Sequence, residues 1–159
     1  MGLDRGSDCG KGRRLSGDPF DLERFIDPQN AMWPRVQAEM AAGRKQSHWI
    51  WFVFPQIAGL GSSPRSIHFA IRSRDEAKAY LAHPLLGARL REVTDQVLNV
   101  EGRSAHDIFG DPDDMKFRSS MTLFDSGSPS DIFAAALDRY FNGERDARTL
   151  SILREMEKN

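Results

Sequence analysis

Three stretches of the chain hold residues whose types and spacing could do chemistry. In the first, Lys45, Ser47, His48 and Gln56 bracket Trp49-Ile50-Trp51-Phe52-Val53-Phe54, which packs four aromatic side chains into six residues. Polar groups around a dense aromatic patch suit a pocket for a planar ligand, with rings stacking and a few donors fixing its orientation. The same run also suits a tryptophan-rich core. In the second stretch, Gly59 and Gly61 precede Ser63-Pro64-Arg65. Backbone amides freed by the glycines could face an anion, helped by Arg65, and a plain turn and cap is the alternative. The loop has neither Walker nor Rossmann spacing.

The third stretch runs from Asp111 to Asp125. On a helix Asp113, Lys116 and Ser120 fall at i, i+3 and i+7, beside an apolar stripe of Phe117, Met121 and Phe124. Lys116, with Ser119 and Ser120 near it, could polarise a substrate oxygen or activate the serine, and a desolvated Asp113 could act as a general base. An acidic helix start with an exposed ion pair fits the same spacing. Together the clusters name Asp113, Lys116, Ser120 and His48 as candidate catalytic groups. Lys45, Ser47, Trp49, Trp51, Gln56, Gly59, Gly61, Arg65 and Ser119 are the candidate ligand-binding groups.

No metal site is expected, because His48, His68, His83 and His106 lack ligand-pair spacing, and Cys9 is the lone cysteine. No cofactor is expected. There is no G-x-S-x-G elbow.

The elements that must position these groups read as helices. Leu22, Phe25 and Ile26, then Met32, Trp33, Val36 and Met40, have helical spacing and predict two helices broken around Asp27-Pro28. The aromatic run reads as a helix capped by Ser47 in preference to a strand. Ser63-Pro64 starts a helix, and Ser73 with Glu76 forms a capping box for one running to about Ala82. Leu86, Leu90, Val93 and Val97 share one stripe. Met115 to Phe124, Phe133 to Phe141, and a helix capped by Asp146 complete the set. The expectation is an all-α single domain, a compact bundle of six or seven helices over residues 19–159.

Residues 1–18 hold five of the thirteen glycines and few apolar groups, which predicts a disordered tail. The formal charge of -1, from 22 basic and 23 acidic residues, gives no global field for a polyanion. Nucleic acid is therefore not an expected partner; contact would need a local patch such as Arg5, Lys11, Arg13 and Arg14. The longest apolar run, Trp49 to Phe54, falls far short of the roughly 20 residues that span a bilayer. No membrane association and a cytoplasmic location are expected, with a nucleotide-like small molecule as the partner.

Lys45-Gln-Ser47-His48-Trp49-Ile-Trp51-Phe-Val-Phe54-Pro55-Gln56, Gly59-Leu60-Gly61, Ala79-Tyr80-Leu81-Ala82-His83-Pro84-Leu85-Leu86-Gly87, Phe109-Gly110 and Lys116 to Phe124 stand in an order that resembles the bacterial domain-of-unknown-function family 1810. The resemblance covers about residues 20–155 and implies a mainly helical single domain without an established activity. Members are sometimes labelled calpastatin, although a calpain inhibitor would be a long disordered chain. A weaker similarity, in size and segment order, is to YbiA-like proteins, which act on ADP-ribose-type N-glycosidic bonds. That group's glutamate has no obvious counterpart here.

The chemistry that follows is binding of a nucleotide-like or phosphorylated ligand, with N-glycosidic hydrolysis as its enzymatic form. There a carboxylate would steady an oxocarbenium ion while the aromatic wall holds the base. The alternative is a non-enzymatic interaction module with the aromatic segment as core.

Overall fold

The computed structural model describes residues 17–158, so nearly all of the expected disordered tail lies outside the described residues. The described residues are mainly helical, with nine helices where six or seven are expected. Three of the nine are single turns, two of them at the aromatic run and at Ser63-Pro64 where the sequence predicts a helix, and the third, Ala105–Phe109, is not expected.

α1 runs unbroken over Glu23–Ala41 through Pro28 and Pro34, one helix where two are expected. Phe25, Gln29, Val36 and Met40 are buried along it, and burial of a continuous stripe outweighs the hydrogen bonds the prolines remove. Gln29 Nε2 donates to the Phe52 carbonyl (2.7 Å) and to Tyr80 Oη (3.0 Å), holding the helix just past the first proline. At the start, the Asp18 carboxylate accepts from the amides of Leu22 and Glu23.

The aromatic run forms a single turn, α2 (Ile50–Val53), with Trp49 rather than Ser47 at its N-cap. Ser47 gives its hydroxyl to Glu39 instead. α3 (Pro64–His68) starts at Ser63, and α4 (Arg74–Ala82) at Ser73, each serine accepting the amide three residues on. In α4 the predicted capping box is half formed. The Glu76 carboxylate turns away to the Arg72 amide (2.9 Å) and to Arg24 (2.5 Å).

α5 (Leu86–Leu98) buries Leu86, Leu90, Val93 and Val97 as its stripe predicts. α6 (Ala105–Phe109) is unanticipated, although Ser104 and Asp107 form a full capping box. α7 (Asp113–Gly127), α8 (Ile132–Phe141) and α9 (Ala147–Glu157) follow, with Asp146 capping α9 through the Thr149 amide.

α7 is the central helix, packed against α2, α4, α6, α8 and α9. It is buried almost all round from Phe117 to Phe124, where Ser119 and Thr122 are satisfied within the helix and the Ser120 hydroxyl is buried without a hydrogen-bond partner. Ser119 Oγ donates to the Met115 carbonyl and Thr122 Oγ1 to the Arg118 carbonyl, the back-bonding that buried helical hydroxyls use.

The only β-type pairing among the described residues is an isolated parallel bridge between Ile57 and Ile71. Ala58 N donates to the Ile71 carbonyl and Ile71 N to the Gln56 carbonyl, both at 2.8 Å. The bridge closes residues 57–71 into a loop that carries α3.

Candidate functional site

That loop forms one wall of a cavity of about 420 Å³. Trp51 of α2 and Gln56, Gly59 and Gly61 line one side, and Met115, Lys116 and Ser119 of α7 line another. Ile67, Phe69 and Arg72 enter from α3 and the strand-like return after it, while Asp146 and Arg148 come from the start of α9. Gly61 is required by close approach, since a Cβ there would lie 2.7 Å from Ser66 Oγ. Gly59, at φ +104°, turns the chain in a region few side chains tolerate.

Arg24 fixes the far wall from α1. Its guanidinium donates to the carbonyls of His68 (2.9 Å) and Ala70 (2.7 Å) and pairs with Glu76, and both side chains of the pair are almost wholly buried.

Charge around the cavity is unbalanced. Lys45 Nζ lies 2.6 Å from Asp113 Oδ2 and donates to the Ser47 carbonyl, so Asp113 is already occupied. Lys116 Nζ sits 3.9 Å from the other Asp113 oxygen and 4.9 Å from the centre of the Trp51 ring. Arg65 lies 5.1 Å from the same ring. Cations on an indole face are attracted by its quadrupole, and here they cover ring surface that a ligand base would otherwise stack on.

Arg148 reaches the Gly59 carbonyl at 3.1 Å. Among the lining residues, Arg72, Lys116 and Arg148 face a single carboxylate, Asp146. Asp146 is held by Ser119 Oγ (3.2 Å), Thr149 N (3.0 Å) and Thr149 Oγ1 (2.5 Å).

Below the site, Glu39 anchors the loop that carries Lys45. It accepts from the amides of Gln46 and Ser47, the Ser47 hydroxyl and the Trp49 indole N–H. Burial pushes its carboxyl up, but these donors outweigh that and bring it from 4.5 to about 2.

Of the expected site residues, Trp51, Gln56, Gly59, Gly61, Lys116 and Ser119 come together in the cavity lining. Lys45, Asp113 and Arg65 stand immediately behind it through the contacts just given. The others do not join them. Trp49 is fully buried in the core, Ser47 is tied to Glu39, and His48 is exposed outside the lining. Ser120 is also fully buried. The face of α7 open to the cavity runs through Met115 and Ser119, with Lys116 on its edge, and Ser120 lies one position further round against the core.

Ile67, Phe69, Arg72, Met115, Asp146 and Arg148 are cavity residues that the sequence alone does not mark as a site. Their only local signal is Asp146 as a helix cap. No spacing rule links residue 59 to residue 148.

No curated protein matches the chain. A solved structure does: that of a conserved hypothetical protein from Mycobacterium tuberculosis, 51% identical, covering 86% of this chain and 99% of that one with a TM-score of 0.85. Neither result extends to the YbiA-like proteins. Residues 19–153 match the family described as protein of unknown function, DUF1810, and the chain belongs to that family.

Proposed function

We propose that the protein binds a small anionic ligand, nucleotide-like or phosphorylated, in the cavity beside Trp51. The observation that carries this reading is the excess of cations in the lining: Arg72, Lys116 and Arg148 against one carboxylate already held by hydroxyl and amide donors. Cations in a concave, partly apolar site bind anions more strongly than on an open surface, because water screens them less. The cavity volume lies in the range of small-molecule sites.

Binding is better supported than N-glycosidic hydrolysis. A hydrolase of that kind needs a carboxylate facing the reacting carbon, and Asp113 and Asp146 are both engaged by neighbours. The interaction-module reading draws on a different observation, the burial of Trp49, Ile50, Phe52, Val53 and Phe54 in the core.

A thermal-shift series against nucleotides, ADP-ribose, NAD and sugar phosphates tests the proposal. Ligand at about a hundred times its Kd stabilises the fold by about 2.7 kcal/mol, a readily measured rise in Tm. The rise should be lost in Lys116→Ala and Arg148→Ala. No rise across the series would favour the interaction module.

A further inference from the structure

Two large apolar side chains stand exposed among the described residues, Ile67 at 57% and Met115 at 44%, and both line this one cavity. They come from different elements, α3 and α7, so the coincidence is not a property of one helix face. α3 buries none of its residues, which leaves Ile67 without a packing role inside the domain. Single exposed apolar residues are ordinary on a protein surface, but two converging on one concavity, with Phe69 and Leu60 also in its lining, form an apolar patch. The cations Arg72, Lys116 and Arg148 share that concavity. The site therefore offers two chemistries side by side.

Building on the anion-binding reading above, we infer that the ligand is an amphiphilic phosphate: a phosphoryl group met by Lys116, Arg72 and Arg148, carried on an apolar body that covers Ile67 and Met115. A sugar phosphate of the same charge satisfies the cations but presents hydroxyls to the two apolar side chains. Inorganic phosphate leaves them in water. The cations then hold and orient the phosphoryl group, while burial of the body against Ile67 and Met115 separates this ligand from a sugar phosphate of equal charge.

The test is calorimetric titration of the full chain with phenyl phosphate, ribose 5-phosphate and inorganic phosphate, repeated on Ile67→Ser/Met115→Gln and on Arg148→Ala. The exposed positions make the double variant mild in stability, which its melting curve checks. Phenyl phosphate should bind at least about tenfold more tightly than ribose 5-phosphate, the double variant should erase this preference, and Arg148→Ala should weaken both. If ribose 5-phosphate binds as well as phenyl phosphate, or if the double variant keeps the preference, the amphiphile inference is overturned while anion binding stands. If none of the three binds, the anion-binding reading itself fails.

Discussion

Replacing Arg24 by methionine removes the group that ties α1 to the cavity wall. The guanidinium donates five hydrogen bonds, to the carbonyls of Phe20, Asp21, His68 and Ala70 and to the Glu76 carboxylate. Its side chain is 4% exposed and that of Glu76 2%, so the variant leaves a carboxylate buried with only the Arg72 amide in partnership. Breaking a buried pair by removing one partner costs about 3–5 kcal/mol. At about 2–4 °C per kcal/mol for a domain of this size, Tm should fall by roughly 10 °C.

Urea unfolding followed by circular dichroism gives the free energy. Amide exchange at Ala58 and Ile71, which pair across the bridge, should accelerate because the wall they close is no longer held. Adding Glu76→Leu should recover part of the loss, since the buried charge is then gone. A loss below about 1 kcal/mol in Arg24→Met would refute the assignment of this pair as the wall's anchor.

Three further outcomes follow from the same structure. Glu39→Ala should cost about 1–3 kcal/mol, chiefly by leaving the Trp49 indole N–H buried without an acceptor, as urea melts would show. The lowered Glu39 pKa means its ionised form contributes stability that is complete above 4.5 and is lost as pH falls toward about 2. The stability gap between wild type and Glu39→Gln should therefore narrow over that window, and a constant gap would argue against it. Gly87→Ala would set a Cβ 2.1 Å from the Leu81 carbonyl, so it should destabilise by about 1–3 kcal/mol or more, with a neutral variant contradicting the close approach of α4 and α5.

Much of the fold is legible where the signal is local. Ser63 with Pro64, Ser73 and Asp146 each announce a helix start within four residues, and the α5 stripe needs only its own period. α1 misleads because its continuity is decided from outside, by the bonds Gln29 makes to Phe52 and Tyr80. The candidate site divides the same way. Trp51, Gly59, Gly61, Lys116 and Ser119 belong to compact motifs, whereas Arg72 joins them only through the Ile57–Ile71 bridge and the Arg24 anchor, and Arg148 only once α9 packs against α7. Spacing alone pairs Ser120 with Lys116, and spacing fixes a helix face but not which side of that face meets the core.

Entry of an anion into the cavity beside Trp51 can be read from the indole N–H resonances of the three tryptophans during titration with AMP. Trp33 lies under Arg89, and Trp49 is buried with its N–H on Glu39, whereas Trp51 lines the cavity. Anion binding there should give a saturable shift of the Trp51 resonance with Trp33 and Trp49 little changed, and Lys116→Ala should lose that shift. A Trp51 resonance that stays fixed at saturating AMP, or one that moves only in step with the other two, would contradict it.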